Sequence, residues 1–246
     1  MKPSFSELQF AYGITREIED GLVWGQVGIP TFPNLNQEAN LGFDVAFNTN
    51  VPAIPIFLQY KVPVKLTRKN ATEWEMFNNE YYRFEIYPES KSNQHNLLMD
   101  LSGLGHSVYY CAPAFIENYD YIRFHTERNI ADNSVFIPLN DLQRNRGNDE
   151  HVVVYKRNPD TYFMCSDSKK IEGYIGWKSV KDDAVKREKK YNNISIFIEE
   201  ITPFIDSISN GKADIISESL QNADRLKEIS DILYQYVNLS LLLIRE

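Results

Sequence analysis

Asp44, Gln59 and Lys61 are the residues whose types and spacing point most directly to chemistry. Hydrolysing a phosphodiester needs a divalent cation to neutralise phosphate charge and to generate or orient hydroxide. Magnesium takes oxygen ligands, from one or two carboxylates together with carbonyls and waters. A lysine beside the ion can orient the attacking water or stabilise negative charge as it develops. Gly42 to Phe47 alternates, with Phe43, Val45 and Phe47 on one face and Asp44 and Ala46 on the other. Pro55 to Val64 alternates as well. Ile56, Leu58, Tyr60, Val62 and Val64 share one face, and Phe57, Gln59 and Lys61 share the other. The Asn-Thr-Asn-Val-Pro segment between them permits a hairpin, which would set Asp44 beside Gln59 and Lys61. Pro63 marks the second strand as ending or lying near an edge. The plain alternative is that Asp44 ends an edge strand and Lys61 is a solvated edge charge that discourages aggregation.

The elements that must position these residues are legible in outline. Ser4 or Ser6 caps a first helix running to about Glu19, in which Glu7, Phe10, Ala11, Ile14 and Ile18 fall near one face. Val23 to Val27 reads as a short strand, and Ile29 to Asn40 as a Pro- and Asn-rich loop. Thr72 to Phe77 reads as a short helix and Tyr81 to Tyr87 as a strand. A helix from Gln94 to Leu101 stops at Gly103, and Val108 to Pro113 is a strongly apolar strand. Ser134 to Leu139, His151 to Tyr155 and Tyr162 to Cys165 are further strands. The mixture predicts an α/β or α+β chain.

Gly42-Phe43-Asp44-Val45 followed by Phe57-Leu58-Gln59-Tyr60-Lys61 resembles the PD-(D/E)xK restriction-endonuclease-like superfamily. It resembles in particular the Mrr-like branch, where Gln replaces the middle acidic residue in a Gln-x-Lys motif. The resemblance covers about residues 5 to 115. It implies a mixed sheet flanked by helices and a Mg²⁺ (or Mn²⁺) site built from Asp44, Gln59 and a glutamate on the preceding helix. Glu7 is the first candidate for that glutamate and Glu17 the second. The resemblance also implies a helix and then a buried strand after the motif, an order that Gln94 to Leu101 and Val108 to Pro113 would fill. Two departures stand out: a neutral Gln59 where most members carry a carboxylate, and a long insertion between Lys61 and the Gln94 helix.

Two further groups of residues could meet a polyanion. Lys91 to Asn96 opens a helix, whose free N–H groups attract anions, so Gln94 and His95 are candidate phosphate contacts. The bland reading of that segment is an N-cap with a polar first turn. Lys65, Arg68 and Lys69 follow the motif strand. Arg123, Arg128, Arg144 and Arg146 are expected in later loops, among Tyr109, Tyr110, Tyr119, Tyr121 and Phe124. Basic groups interleaved with aromatics can track a nucleic-acid backbone and stack bases, although aromatics in strands are more often core.

Bulk composition limits the function classes. An apolar content of 43% supports a packed core rather than disorder. A net charge of −8 excludes a uniformly basic nucleic-acid glove but not a local groove. Cys111 and Cys165 fit no zinc spacing and read as buried free thiols. No apolar run approaches the roughly 18 residues that span a bilayer, and no signal-peptide core opens the chain, so the expectation is a cytoplasmic protein without a membrane partner.

After about Lys178 the composition changes. A charged run, Lys181 to Lys190, precedes two apolar helical stripes, the second reaching toward Leu243. This predicts two regions: 1–178 as the nuclease-like domain and 179–246 as a helical C-terminal appendage. The expected function is a metal-dependent nuclease cleaving DNA, with RNA left open, in bacterial restriction or anti-phage defence. Because the charge disfavours autonomous DNA binding, a helicase or sensor subunit is expected as partner, or a homo-oligomer formed through the C-terminal helices. The competing expectation is an inactive nuclease-fold scaffold.

Overall fold

The computed structural model describes residues 1–19, 29–31, 46–48, 54–105, 107–148, 150–157, 161–165, 169–172, 176–180, 194–209, 222–237 and 240–244. The fold is mixed α/β. It opens on helix α1 (Glu7–Glu19), whose start is fixed by the Ser6 hydroxyl accepting the Gln9 N–H at 3.1 Å. Strands β1 (Ile29–Thr31) and β2 (Ala46–Asn48) pair antiparallel as a separate two-stranded ribbon. The segment from Ile29 thus begins as a strand rather than a loop. The strand expected at Val23 to Val27 lies outside the described residues.

The central sheet has four strands, in the order β11 (Ser240–Ile244), β3 (Ile54–Tyr60), β6 (Ser107–Pro113) and β7 (Ser134–Pro138). Strand β3 (Ile54–Tyr60) is the motif strand, and β6 (Ser107–Pro113) runs parallel to it, pairing Gln59 with Tyr110. A parallel pair requires a crossover, here a long one ending in helix α3 (Gln94–Gly103). All seven residues of β6 are buried, which is why its sequence is apolar without alternation. Strand β7 (Ser134–Pro138) pairs antiparallel on its far side.

The motif segment is not one strand. It breaks at Lys61-Val62-Pro63, and β4 (Val64–Leu66) belongs to a different sheet. Pro63 has no N–H to continue a ladder. That second sheet has the order β10–β9–β8–β5–β4, all antiparallel, from β5 (Tyr81–Ile86), β8 (His151–Tyr155), β9 (Thr161–Cys165) and β10 (Lys169–Glu172). A one-turn helix, α2 (Trp74–Phe77), covers Tyr81, Val152 and Val154 on its outer face.

Alternation along β3 divides the core. Ile56, Leu58 and Tyr60 face α1 and α4 (Asn118–Glu127), packing with Phe10, Ile14, Phe115, Tyr121 and Phe124. Phe57 faces the other way, into a cluster with Tyr110, Leu98 and the inner face of the second sheet, Tyr82, Phe84, Val153 and Tyr155. Helix α4 carries Arg123, which was expected in a loop, together with Tyr119, Tyr121 and Phe124. Tyr109, Tyr110, Tyr121 and Phe124 are core, leaving Tyr119 as the exposed aromatic of that set.

The C-terminal region adds helices α5 (Ile194–Ser209) and α6 (Asn222–Val237). Phe197, Ile198, Ile201, Phe204 and Ile205 of α5, with Leu226, Ile229 and Leu233 of α6, join the cluster that contains Phe57 and Tyr110. Residues beyond 178 therefore share a core with those before it. The second helix does not reach Leu243. It ends at Val237, and β11 (Ser240–Ile244) pairs antiparallel with β3, Ser240 against Leu58 and Ile244 against Ile54. Both edges of β3 are filled, by β6 and β11. The expected hairpin between the Gly42–Phe47 strand and β3 is replaced by these two ladders, with β2 paired to β1 instead.

Candidate functional site at the end of the motif strand

The last residues of β3 bring several predicted groups together. The ladder to β6 continues one step past the strand, with the Lys61 N–H donating to the Cys111 carbonyl at 2.9 Å. Lys61 is half-buried, and burial pushes its ammonium below the usual lysine range while the Glu7 carboxylate pulls it back up. Glu7 mirrors this. Its carboxyl is raised by crowded surroundings and lowered by Lys61, although the side chain still reaches solvent. The first turn of α1 and the end of β3 thus place an acid and a base within electrostatic reach.

Gln59 lies two residues before Lys61 and is 1% exposed. Its Nε2 donates to the Tyr60 carbonyl at 3.2 Å. Its Oε1 is buried and has no hydrogen-bond partner. An unsatisfied amide oxygen in the interior costs about 1–3 kcal/mol. A neutral oxygen of this kind suits a hard cation or a donor group. Asp44 lies outside the described residues. Among the described residues no three His, Cys, Asp or Glu side chains are grouped so that they could hold a metal ion.

Glu17, the second-choice acid, has a structural task. Its carboxylate is 2% exposed and accepts the N–H groups of Ile130 at 2.6 Å and Ala131 at 3.2 Å. Glu7, which its spacing puts on the apolar face of α1, is exposed, whereas Glu17 is buried.

His95 is not available to a phosphate. It is 2% exposed, with Nδ1 2.9 Å from the Tyr110 hydroxyl and Nε2 2.8 Å from the Gln143 carbonyl. Burial pushes its imidazole down to about 4. Gln94 is half-buried, and its N–H donates to the Ser92 hydroxyl at 3.3 Å. Lys65 pairs with Glu80 at 2.6 Å on the edge of the second sheet, while Arg68 and Lys69 are exposed in the following turn. Of the later arginines, Arg144 pairs with Asp100, and Arg123 bonds Asp120 at 2.7 Å. Each pairing dilutes the positive field a polyanion would meet. Cys111 is a buried free thiol, as its apolar setting suggested.

Sequence reasoning grouped Tyr110 with the aromatics that could stack bases and did not place it beside Lys61. Its ring lies 5.6 Å from the Lys61 ammonium. The signal was its place in an apolar strand that the crossover would set parallel to the motif strand.

Among the described residues no helix is long and apolar enough to cross a membrane. Comparison with family models, with curated proteins and with solved structures yields no match for this chain.

Proposed function

We propose that the chain is a metal-dependent endonuclease of the restriction-endonuclease-like kind, acting on DNA, with RNA as an alternative substrate. The observations that support this reading are the electrostatic coupling between Glu7 and Lys61 and the buried, unsatisfied Gln59 oxygen two residues before Lys61. The order β3, then α3, then a buried parallel β6 supports the same fold reading. Glu7, Asp44 and Gln59 are the residues that would hold Mg²⁺ or Mn²⁺, and the ion would supply charge neutralisation at the phosphate. Lys61 would orient the attacking water and stabilise the charge of the pentavalent phosphorus. Glu7 would keep that ammonium protonated despite its partial burial. With a net charge of −8, productive binding would draw on a partner such as a helicase or sensor subunit, in the setting of antiviral defence.

A second reading, an inactive scaffold of the same kind, is favoured by one observation. Both flanks of β3 are occupied by β6 and β11, so β2, the described strand that follows Asp44 in the chain, is not its ladder neighbour. The deciding experiment is cleavage of single- and double-stranded DNA and RNA with Mg²⁺ or Mn²⁺, comparing the wild type with Lys61→Ala. The nuclease reading expects metal-dependent cleavage that falls roughly a hundredfold or more in the variant, the scale of losing one oriented electrostatic group. Equal cleavage by both proteins would remove Lys61 from the chemistry. No cleavage by the wild type on any substrate would favour the scaffold.

A further inference from the structure

Tyr110 is the register partner of Gln59 and is 1% exposed. Its ring is enclosed by neighbours that fix its plane. His95 stacks on it, with centroids 5.9 Å apart and planes 9° from parallel. Phe84 meets it edge-on at 5.6 Å. The hydroxyl is held too, and the direction of that bond follows from the far side of the imidazole. His95 Nε2 faces the Gln143 carbonyl at 2.8 Å, and a carbonyl can only accept. Nε2 therefore carries the proton, and Nδ1 accepts from the Tyr110 hydroxyl at 2.9 Å. The Lys61 ammonium lies 5.6 Å from the centre of this fixed ring, within the roughly 6 Å over which an aromatic face attracts a cation.

We infer that Tyr110 is a positioning residue for Lys61, and that the Gln143–His95–Tyr110 chain of hydrogen bonds holds the aromatic face on which the ammonium rests. Lysine has a flexible four-carbon stem with many rotamers, so an ammonium that must act at one place needs a support. The Glu7 carboxylate supplies attraction but sits on an exposed first turn. The ring supplies a surface locked into the core. This explains why a histidine with both nitrogens occupied lies beside the site: it acts on the tyrosine rather than on substrate. The consequence for cleavage rests on the nuclease reading above; the contact itself does not.

The test uses the full chain with its lysines reductively ¹³C-methylated, which preserves their charge. The Lys61 signal is assigned by its loss in Lys61→Arg. A methyl group over an aromatic face is shifted upfield, so the wild type should show Lys61 upfield of the exposed lysines. Tyr110→Leu should return it to the exposed position, and Tyr110→Phe should leave it upfield. Cleavage should follow the signal, with kcat down tenfold or more in Tyr110→Leu, KM little changed, and kcat largely restored in Tyr110→Phe. If Tyr110→Leu does not fold, His95→Ala makes the same test by removing the stack and the acceptor while leaving the ring; the signal should move toward the exposed position. A Lys61 signal that is unshifted in the wild type, or unmoved in these variants, overturns the inference. So does a moved signal with unchanged kcat. Absence of cleavage in the wild type would remove the nuclease reading, and the methyl signal would still judge the contact.

Discussion

The Glu17 carboxylate accepts a 2.6 Å hydrogen bond from the backbone N–H of Ile130, a residue 113 positions further along the chain. This bond and its companion to Ala131 tie α1 to the turn before β7. Glu17→Ala leaves two interior N–H groups unsatisfied and should destabilise the protein by about 1–3 kcal/mol for each group that water does not reach. Urea unfolding at one pH measures it.

The same residue predicts a pH dependence. Burial, opposed by the two N–H donors, raises the Glu17 carboxyl to about 7, and burial likewise raises Asp231 to about 7. The folded state therefore holds these protons at pH values where the unfolded chain has released them. Stability is fully present below the unfolded-state values, near 4 to 4.5, and declines as pH rises through about 7. Glu17→Gln should flatten that decline without abolishing it, because Asp231 remains. Unfolding free energies at pH 5 and pH 7.5 provide the comparison; equal slopes in wild type and variant would contradict it.

Phe57 and Phe197 are both fully buried, with ring centroids 6.1 Å apart, and they join the motif strand to α5. Each alanine variant should cost about 3–5 kcal/mol. Because the rings touch, the double variant should cost less than the sum, with a coupling of about 0.5–3 kcal/mol in a double-mutant cycle. Strict additivity would mean that the C-terminal helices fold as an independent unit.

At Gly13 two effects compete. Alanine in a helix interior ordinarily gains about 0.8–1 kcal/mol over glycine. Here a Cβ would meet Ile130 Cδ1 at 2.5 Å and the Tyr121 hydroxyl at 3.0 Å. The hydroxyl is tethered to the Gln9 carbonyl at 2.8 Å, and Ile130 is fully buried, so neither yields freely. Overpacking of about 1–3 kcal/mol should prevail, making Gly13→Ala net destabilising in thermal unfolding.

Glu7 and Lys61 should titrate as a pair. Removing the ammonium in Lys61→Met takes away what lowers the Glu7 carboxyl, so that group should titrate higher still. Glu7→Gln should lower the Lys61 ammonium further. Carbon-detected NMR titration of each side chain reads both changes, and a Glu7 carboxyl unmoved by Lys61→Met would separate the two residues.

What could be read from the sequence divides along physical lines. The alternation in Ile56 to Tyr60, the unbroken apolar run in β6 and the Ser6 cap of α1 are local patterns, and they appear where expected. Leu241 to Leu243 reads as the end of a helix because a short apolar run has no periodicity of its own, and its strand partner lies far back in the chain. Helix α4 is not legible in its residues because Tyr, Ile and Phe are weak helix formers, whereas burial of Tyr121 and Phe124 against Phe115 decides its form. Glu7 and Glu17 look alike in sequence. Glu17 is buried because backbone N–H groups receive it, and those leave no trace in residue type. Gln59 and Lys61 were recognisable as out of place in an apolar run, but the ring beside Lys61 was visible only once β3 and β6 were paired.

The ladder between β3 and β11 also sets an order of events during synthesis. Strand β3 can meet β6 soon after Pro113 emerges, but its other edge stays open until Ile244 has left the ribosome. Through most of translation the strand carrying Gln59 presents a row of unpaired N–H and C=O groups, the kind of edge that recruits foreign strands. Closure by a segment drawn from so far along the chain is a slow, high-contact-order step. Strand β11 thus acts as a late seal, and a nascent chain stalled before residue 240 would hold the motif strand in an adhesive, unfinished sheet.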